Sequence, residues 1–309
     1  MQTKITVKAP SSTANLGPGF DVFGLALNAF HDEVTLTRQD SGINITTDGG
    51  VPTKPTDNTA GLVVKNAKSK FKIRDGVKID IKKRVPAGFG MGSSAASAAA
   101  AAVAVDRLFE LGLDSDALVE LAGSGEKASA GTIHYDNVAA SVLGGFVIVR
   151  DNPLSVIRIK PPQSLRMCVA VPSITVPKKK TQASRSVIPT MISLKDSITN
   201  LSSAASIVAG FASGNSHMIG SSIRDVVVEP ARQHMIPGFA SVKRNALKVG
   251  ATGVAISGAG PSVIAFSEKG ADMNEIAAAM VKGFASAKTR CQTILCRPSM
   301  GATIGEWVM

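Results

Sequence analysis

The sequence predicts an α+β fold in two domains, on three observations. The chain of 309 residues is long enough to bury two cores of ordinary size. Strand-like and helix-like segments interleave without the regular parallel repeat of a doubly wound sheet. A Pro-bounded stretch, "DNPLSVIRIKPPQ" (151–163), interrupts the pattern near the middle. The boundary therefore falls near residues 152 to 163, dividing the chain into domains at 1–155 and 156–309. Apolar residues make up 44% and charged ones 18%, with 29 Gly and 15 Pro dispersed, so the composition is that of a folded chain and not of a low-complexity one.

The elements follow in order. "KITVKA", "EVTLTRQ" and "GINITT" alternate in strand fashion, with turn residues such as "DSG" between them. "TAGLVVKNAKSKF" carries apolar residues at helical spacing, and "GVKIDIKKRVP" alternates again until Pro86. After a glycine-rich loop, "SSAASAAAAAVAVDRLFELG" has high helix propensity and closes on Gly112, and Asp114 is placed to cap a second helix. "LGGFVIVRD" reads as a buried strand and "DNPLSVIRIKPPQ" as its exit and a turn. The second half opens with the strand "LRMCVAVPS". Helical segments follow around "SLKDSITNLSSAASIVAGFASG", "SHMIGSSIRDVV" and "GFASVKRNALKVG". "GVAISGAGPSVIAFS" gives two apolar runs about a glycine-proline turn, a hairpin signal, and the helix "MNEIAAAMVKGFASA" and strand "QTILCRP" complete the half.

The net charge of +11 favours anionic ligands, phosphates included. Its clusters, Lys65 to Arg74, Lys82-Lys83-Arg84 and Lys178-Lys179-Lys180, read as solvated faces. Aromatics are only 4%, with one Tyr and one Trp, so the basic residues lack the stacking platforms of a nucleic-acid surface. Cys168, Cys291 and Cys296 form no CxxC pair, and the odd number argues against a disulfide framework; on a strand, "CQTILC" points its two thiols to opposite faces. No run approaches the ~20 apolar residues that span a bilayer, and the N-terminus has no signal-peptide core. A cytoplasmic protein, neither membrane-bound nor nucleic-acid-binding, is the expectation.

The loop "PAGFGMGSSAAS" (86–97) carries the first functional signal. The dinucleotide fingerprint would need glycine where Ser93 stands, and the Walker loop needs a Gly-Lys pair that does not follow. What remains is Pro86 and the glycines 88, 90 and 92, then Ser93 and Ser94 at the first turn of a helix. Such a helix start offers unpaired N–H groups and about half a positive charge, which suits a polyphosphate without any lysine. A tight turn that lets an alanine-rich helix pack closely on a sheet explains the same glycines.

Three stretches, "APSSTANLGPGFDVFGLAL", "PAGFGMGSSAAS" and "GATGVAISGAGPSVIAF", resemble in order and spacing the three motifs of the GHMP superfamily of small-molecule kinases. Further matches, "ANLGPGFD" with Asn15 and Asp21, the H-x-D-N of His134, Asp136 and Asn137, and "DVVVEPAR" ending at Arg232, are most similar to its homoserine kinases. The likeness covers essentially the whole chain; Phe89 stands where the family often has an aliphatic residue, and the tail "GEWVM" matches nothing. The resemblance implies a first domain like the second domain of ribosomal protein S5, holding a left-handed βαβ unit, and a ferredoxin-like second domain. It also implies ATP and Mg²⁺ as cofactors, L-homoserine as the small-molecule substrate, and a place in threonine biosynthesis.

Site residues follow from that resemblance and from the demands of phosphoryl transfer, which are positioning and charge neutralisation. Ser94 and Glu126 look like the superfamily's Mg²⁺ pair, both hard oxygen ligands, although without the motif Glu126 reads as an exposed helical acid paired with Lys127 or another nearby base. Asn58 stands where members contact the nucleotide base, and Asp-Asn before a helix is also an ordinary cap. Arg185 and Arg232 offer paired donors for a substrate carboxylate, unless Arg232 merely pairs with Glu229; Asp21 and Asp136 suit its ammonium. Asn15, Thr181, Ser257 and Gly258 complete the substrate set. Asn137 is placed against the attacking hydroxyl and is no base; Asp21 is the alternative catalytic group, and His134 is expected neutral and hydrogen-bonded. Rival functions are a mevalonate or archaeal shikimate kinase, whose substrates lack an ammonium, and a non-catalytic nucleotide-binding or nucleic-acid-binding protein that keeps the fold. A homodimer is the default expectation for assembly.

Overall fold

The computed structural model describes residues 3–128, 133–177 and 180–305. The chain begins with two long antiparallel strands, β1 (Lys4–Asn15) and β2 (Gly19–Gln39), so the first motif of the sequence is the turn of a hairpin. β3 (Ile43–Thr47), α1 (Thr59–Lys70) and β4 (Gly76–Lys82) form a parallel βαβ unit, and β4 pairs antiparallel with β2. The glycine loop leads to α2 (Ser93–Leu108), followed by α3 (Ser115–Glu126), α4 (Tyr135–Leu143) and β5 (Phe146–Arg150). Asp114 caps α3 as its sequence position requires, accepting from the Ala117 N–H at 2.9 Å.

β6 (Ser155–Ile159) lies where the sequence suggests only an exit and a turn. Its alternation is short and flanked by prolines, and pairing with β5 makes it a strand of the first sheet. β7 (Arg166–Pro172), α5 (Lys180–Ser186), α6 (Leu194–Ser213), α7 (Ser216–Ser221), α8 (Val228–Arg232), α9 (Phe239–Lys248), β8 (Gly253–Ile256), β9 (Val263–Ser267), α10 (Met273–Ala285), β10 (Cys291–Cys296) and β11 (Thr303–Ile304) follow. The second sheet runs β10-β7-β9-β8, which in its own strands is the order 4-1-3-2 of a ferredoxin-like fold. The first sheet runs β11-β1-β2-β4-β3, with β5 and β6 attached to β2. A division at residue 155 thus meets the first residue of β6, and the last strand, β11, returns to pair with β1 of the first sheet.

Three buried layers hold these pieces together. α2 is apolar on all sides, as befits a helix enclosed by β1 and β2 on one side and α1, α3 and α4 on the other; alanine lets all five neighbours approach. The second layer is shared by both sheets: Phe146 of β5 stacks on Phe211 of α6 at 3.9 Å and meets Phe23 of β2 edge-on at 5.1 Å. The third packs α9 and α10 on the outer face of the second sheet. Cys296 belongs to the shared layer and Cys291 borders the outer one, so the two thiols do face opposite ways. Among the described residues no helix is long and apolar enough to cross a membrane.

Candidate active site

A cavity of about 880 Å³ opens between the glycine loop, the first hairpin turn, the start of α4 and the α5–α8 region. Its wall includes Asn15, Asp21, Asn58, Gly88, Gly90, Gly92, Ser93, Ser94, Glu126, Asp136, Asn137, Thr181, Arg185, Arg232 and Gly258. Residues far apart in sequence therefore meet at one place. Pro86 and Ser257 are not part of that wall. The Ser257 hydroxyl instead donates to Gly90 O at 2.8 Å and to Thr13 Oγ1 at 2.9 Å, fastening the third motif to the glycine loop.

The loop end is built from backbone. Gly88, Gly90 and Gly92 all have positive φ, and α2 starts at Gly92 without a side-chain cap, with residues 92–95 of this start lining the cavity. A Cβ on Gly90 would stand 2.1 Å from Ser257 O, and one on Gly92 would stand 2.1 Å from Ser12 Oγ. What approaches these glycines so closely is therefore the protein's own third motif and first strand. Ser93 turns away and donates to Val85 O at 2.8 Å. Ser94 points toward α3 and donates to Glu126 Oε2 at 3.1 Å, so Glu126 is not a surface acid. Burial pushes the Glu126 carboxyl up to about 7, against the Ser94 hydrogen bond; nearby Asp136 raises it further.

The sequence reads Lys82-Lys83-Arg84 as a solvated face, and Lys83 departs from it. Its ammonium is buried in an ion pair with Asp32 and reaches Ser97 Oγ at 3.0 Å. Residues 77, 79 and 81 of β4 all point inward, so strand alternation continued two residues further would turn Lys83 inward as well. In the third basic cluster, Lys178 and Lys179 lie outside the described residues, and Lys180 donates to Gly260 O. Burial, with Arg232 adding, lowers its ammonium to about 8. Asn58 caps α1, accepting from Gly61 N–H at 3.0 Å and donating to Pro52 O at 2.7 Å, while also facing the cavity.

The opposite end is built from charged side chains. Asp21, at a positive φ near the start of β2, pairs with Arg185, and its N–H donates to Asn15 Oδ1 at 3.1 Å. The Arg185 Nη2 also donates to His134 Nδ1 at 3.0 Å, and burial together with the guanidinium lowers the imidazole pKa, which keeps it neutral. Arg232 is buried and does not pair with Glu229, which goes to Lys243. Its Nε donates to Ser184 O at 2.8 Å and its Nη1 to Gly258 O at 3.3 Å. Burial, with Arg185 adding, lowers this guanidinium to about 10. Phe20 lies against both arginines, 5.1 Å from Arg185 and 5.2 Å from Arg232, a role that sequence reasoning misses although the residue sits inside "ANLGPGFD".

Between the two ends, Asp136 is buried and its carboxyl is pushed up to about 7 by that burial, against the Asn137 N–H that it accepts at 2.6 Å. Asn137 receives the Ser12 hydroxyl on Oδ1 at 3.0 Å, which fixes its amide. One cavity thus holds an uncapped helix start with a hydroxyl–carboxylate pair at one end and paired arginines and aspartates at the other, the kind of combination that a phosphotransferase acting on a small molecule uses.

Known proteins agree with that class. The model of the GHMP kinases N terminal domain matches residues 58–145, and that of the GHMP kinases C terminal matches residues 204–286. The homoserine kinase of Thermoplasma acidophilum is 40% identical over 304 residues, 98% of this chain and 97% of the relative. That of Halobacterium salinarum is 39% identical over 97% of this chain and 96% of its own. The crystal structure of homoserine kinase from Cytophaga hutchinsonii superposes with a TM-score of 0.91 at 35% identity, covering 99% of this chain and 98% of that one. The chain belongs to the GHMP kinase family, among its homoserine kinases.

Proposed function

We propose that the protein transfers the γ-phosphoryl group of ATP to the side-chain hydroxyl of L-homoserine, giving O-phospho-L-homoserine and ADP for threonine biosynthesis. The observation that carries this reading is the coexistence, in one cavity, of the uncapped start of α2 with Ser94 and Glu126 and of the Asp21–Arg185–Arg232–Asp136 set. Two arginines beside two aspartates suit an acceptor with both a carboxylate and an ammonium, whereas mevalonate and shikimate have no ammonium.

The N–H groups of the first turn of α2 receive the phosphates, a task for which backbone donors need no charged side chain. The donor set of Ser94 and Glu126 fits a divalent cation of the Mg²⁺ type, since both atoms are hard oxygens and such an ion takes only one or two protein ligands beside phosphate and water. Mg²⁺ supplies neutralisation of the phosphoryl oxygens. Arg232 and Arg185 take the acceptor's carboxylate, and Asp136 and Asp21 its ammonium. Asn137, held by Ser12, orients the hydroxyl through its amide. The hydroxyl oxygen bonds to the γ-phosphorus as the bond to the ADP oxygen breaks, and the hydroxyl proton passes to the phosphoryl group late in the step, so no carboxylate base is required.

The test is ATP consumption by the purified protein with Mg²⁺ against homoserine, shikimate, mevalonate and no acceptor. Turnover with homoserine alone is expected. Turnover with shikimate or mevalonate and none with homoserine overturns the reading.

A further inference from the structure

Asp32 on β2 is fully buried and does not itself line the cavity, although its partners Lys83 and Ser97 do. Its Oδ1 accepts the backbone N–H groups of Arg84 and Val85, both at 2.9 Å. Its Oδ2 accepts the Ser97 hydroxyl at 2.7 Å and the ammonium of Lys83. Lys83 carries the link onward, donating to Ser93 O and to Ser97 Oγ. Residues 83–85 are the arm that enters the glycine loop, and Ser93 and Ser97 are the first turns of the helix that leaves it. One carboxylate therefore ties the two ends of the loop together.

A loop with three glycines at positive φ has much conformational freedom to lose, and donors that must meet a polyphosphate lose effect steeply when displaced. Fixing both ends removes that freedom before the nucleotide arrives. Stability alone does not account for the arrangement, because a buried ion pair costs desolvation that a well-packed apolar pair would not. We propose that Asp32 is a positioning residue of the phosphoryl-transfer site: through Lys83 and Ser97 it sets the direction in which the first turn of α2 presents its N–H groups and the Ser94 hydroxyl. This rests on the reading of that end as the ATP site.

The experiment compares wild type with Asp32→Asn, Ser97→Ala and, as a matched loss of core packing away from the loop, Val7→Ala. The readouts are thermal melting, calorimetric titration with ATP and Mg²⁺, and the separate KM values for ATP and homoserine. Asp32→Asn is expected to raise the ATP Kd about tenfold, the effect of weakening a charge-assisted hydrogen bond, with KM for homoserine held within about twofold. Ser97→Ala is expected to melt no lower than Val7→Ala and yet raise the ATP Kd about threefold. Val7→Ala is expected to melt lower and bind ATP normally. Wild-type ATP affinity in Ser97→Ala, or equal losses of ATP and homoserine affinity in Asp32→Asn, overturns the proposal; if Asp32→Asn does not fold, Ser97→Ala decides. Failure of wild type itself to bind ATP counts instead against the reading of the site.

Discussion

The two ends of the cavity solve similar electrostatic problems with different materials. The loop end uses backbone: glycines at positive φ and an uncapped helix start, with Ser94 and Glu126 as its hydrogen-bonded side chains. The opposite end uses charge: Asp21, Asp136, Arg185 and Arg232, with His134 neutral and Phe20 against both guanidinium groups. A backbone site is disturbed by shape and a charged site by single side chains. Substitutions at the two ends should therefore separate nucleotide binding from acceptor binding.

Arg232→Met should have the largest effect, lowering kcat/KM for homoserine about a thousandfold because it removes the buried one of the two guanidinium groups, leaving only the partly solvated Arg185. The ATP Kd should stay within about twofold, and a joint loss would break the division between the ends. Glu126 comes next. Its carboxyl is raised from 4.5 to about 7 in the fold, so the folded state holds that proton more tightly than the unfolded chain. Ligand-free protein should consequently lose stability as pH rises from about 4.5 to about 7, by on the order of 3 kcal/mol from this group, with no further loss above. Melting curves of wild type and Glu126→Gln across that range test it: the variant should lack this part of the slope. Mg²⁺ should stabilise wild type less below pH 7, where the carboxyl is protonated.

Gly90→Ala sharpens the contrast from the other side. An alanine there meets Ser257 O at 2.1 Å and carries a φ of +74°, so the loop must shift. A melting point lower by about 5 °C and an ATP Kd higher by about tenfold are expected together. A lower melting point with normal ATP affinity would make these glycines a packing device only. Asp21→Asn should be the mildest, raising KM for homoserine several-fold with kcat nearly unchanged, since its pair with Arg185 is partly solvated. A large fall in kcat would instead identify Asp21 as the base.

Much of the fold is legible in local pattern. The alternation of "KITVKA", the helix after Ser93, the Asp114 cap and the glycine-proline hairpin are matters of period and propensity over a few residues, and each appears in the fold. β6 escapes such reading because its strand character depends on pairing with β5, and β11 because two residues carry no period. Lys83 and Asp32 escape it for a related reason: each is charged, and only the alternation of its own strand hints that it faces inward. Their partnership also needs the register that sets Glu33 opposite Lys82. Of the site, the residue types are legible and the pairings are not: Glu229 is the obvious neighbour for Arg232 along the chain, yet Lys243 takes it.

The α+β class, the residue types of the site and the family all reside in the amino-acid sequence, because composition, period and long contiguous motifs carry them. Which atoms approach which is decided only in three dimensions. There the third motif closes on Gly90, Glu126 receives Ser94, Arg232 leaves Glu229 for Ser184 and Gly258, and Asp32 spans the loop. The bond between Ser257 and Gly90 joins residues 167 positions apart. The energy of such contacts arises from burial and mutual orientation, which exist only once both sheets have packed on their shared core.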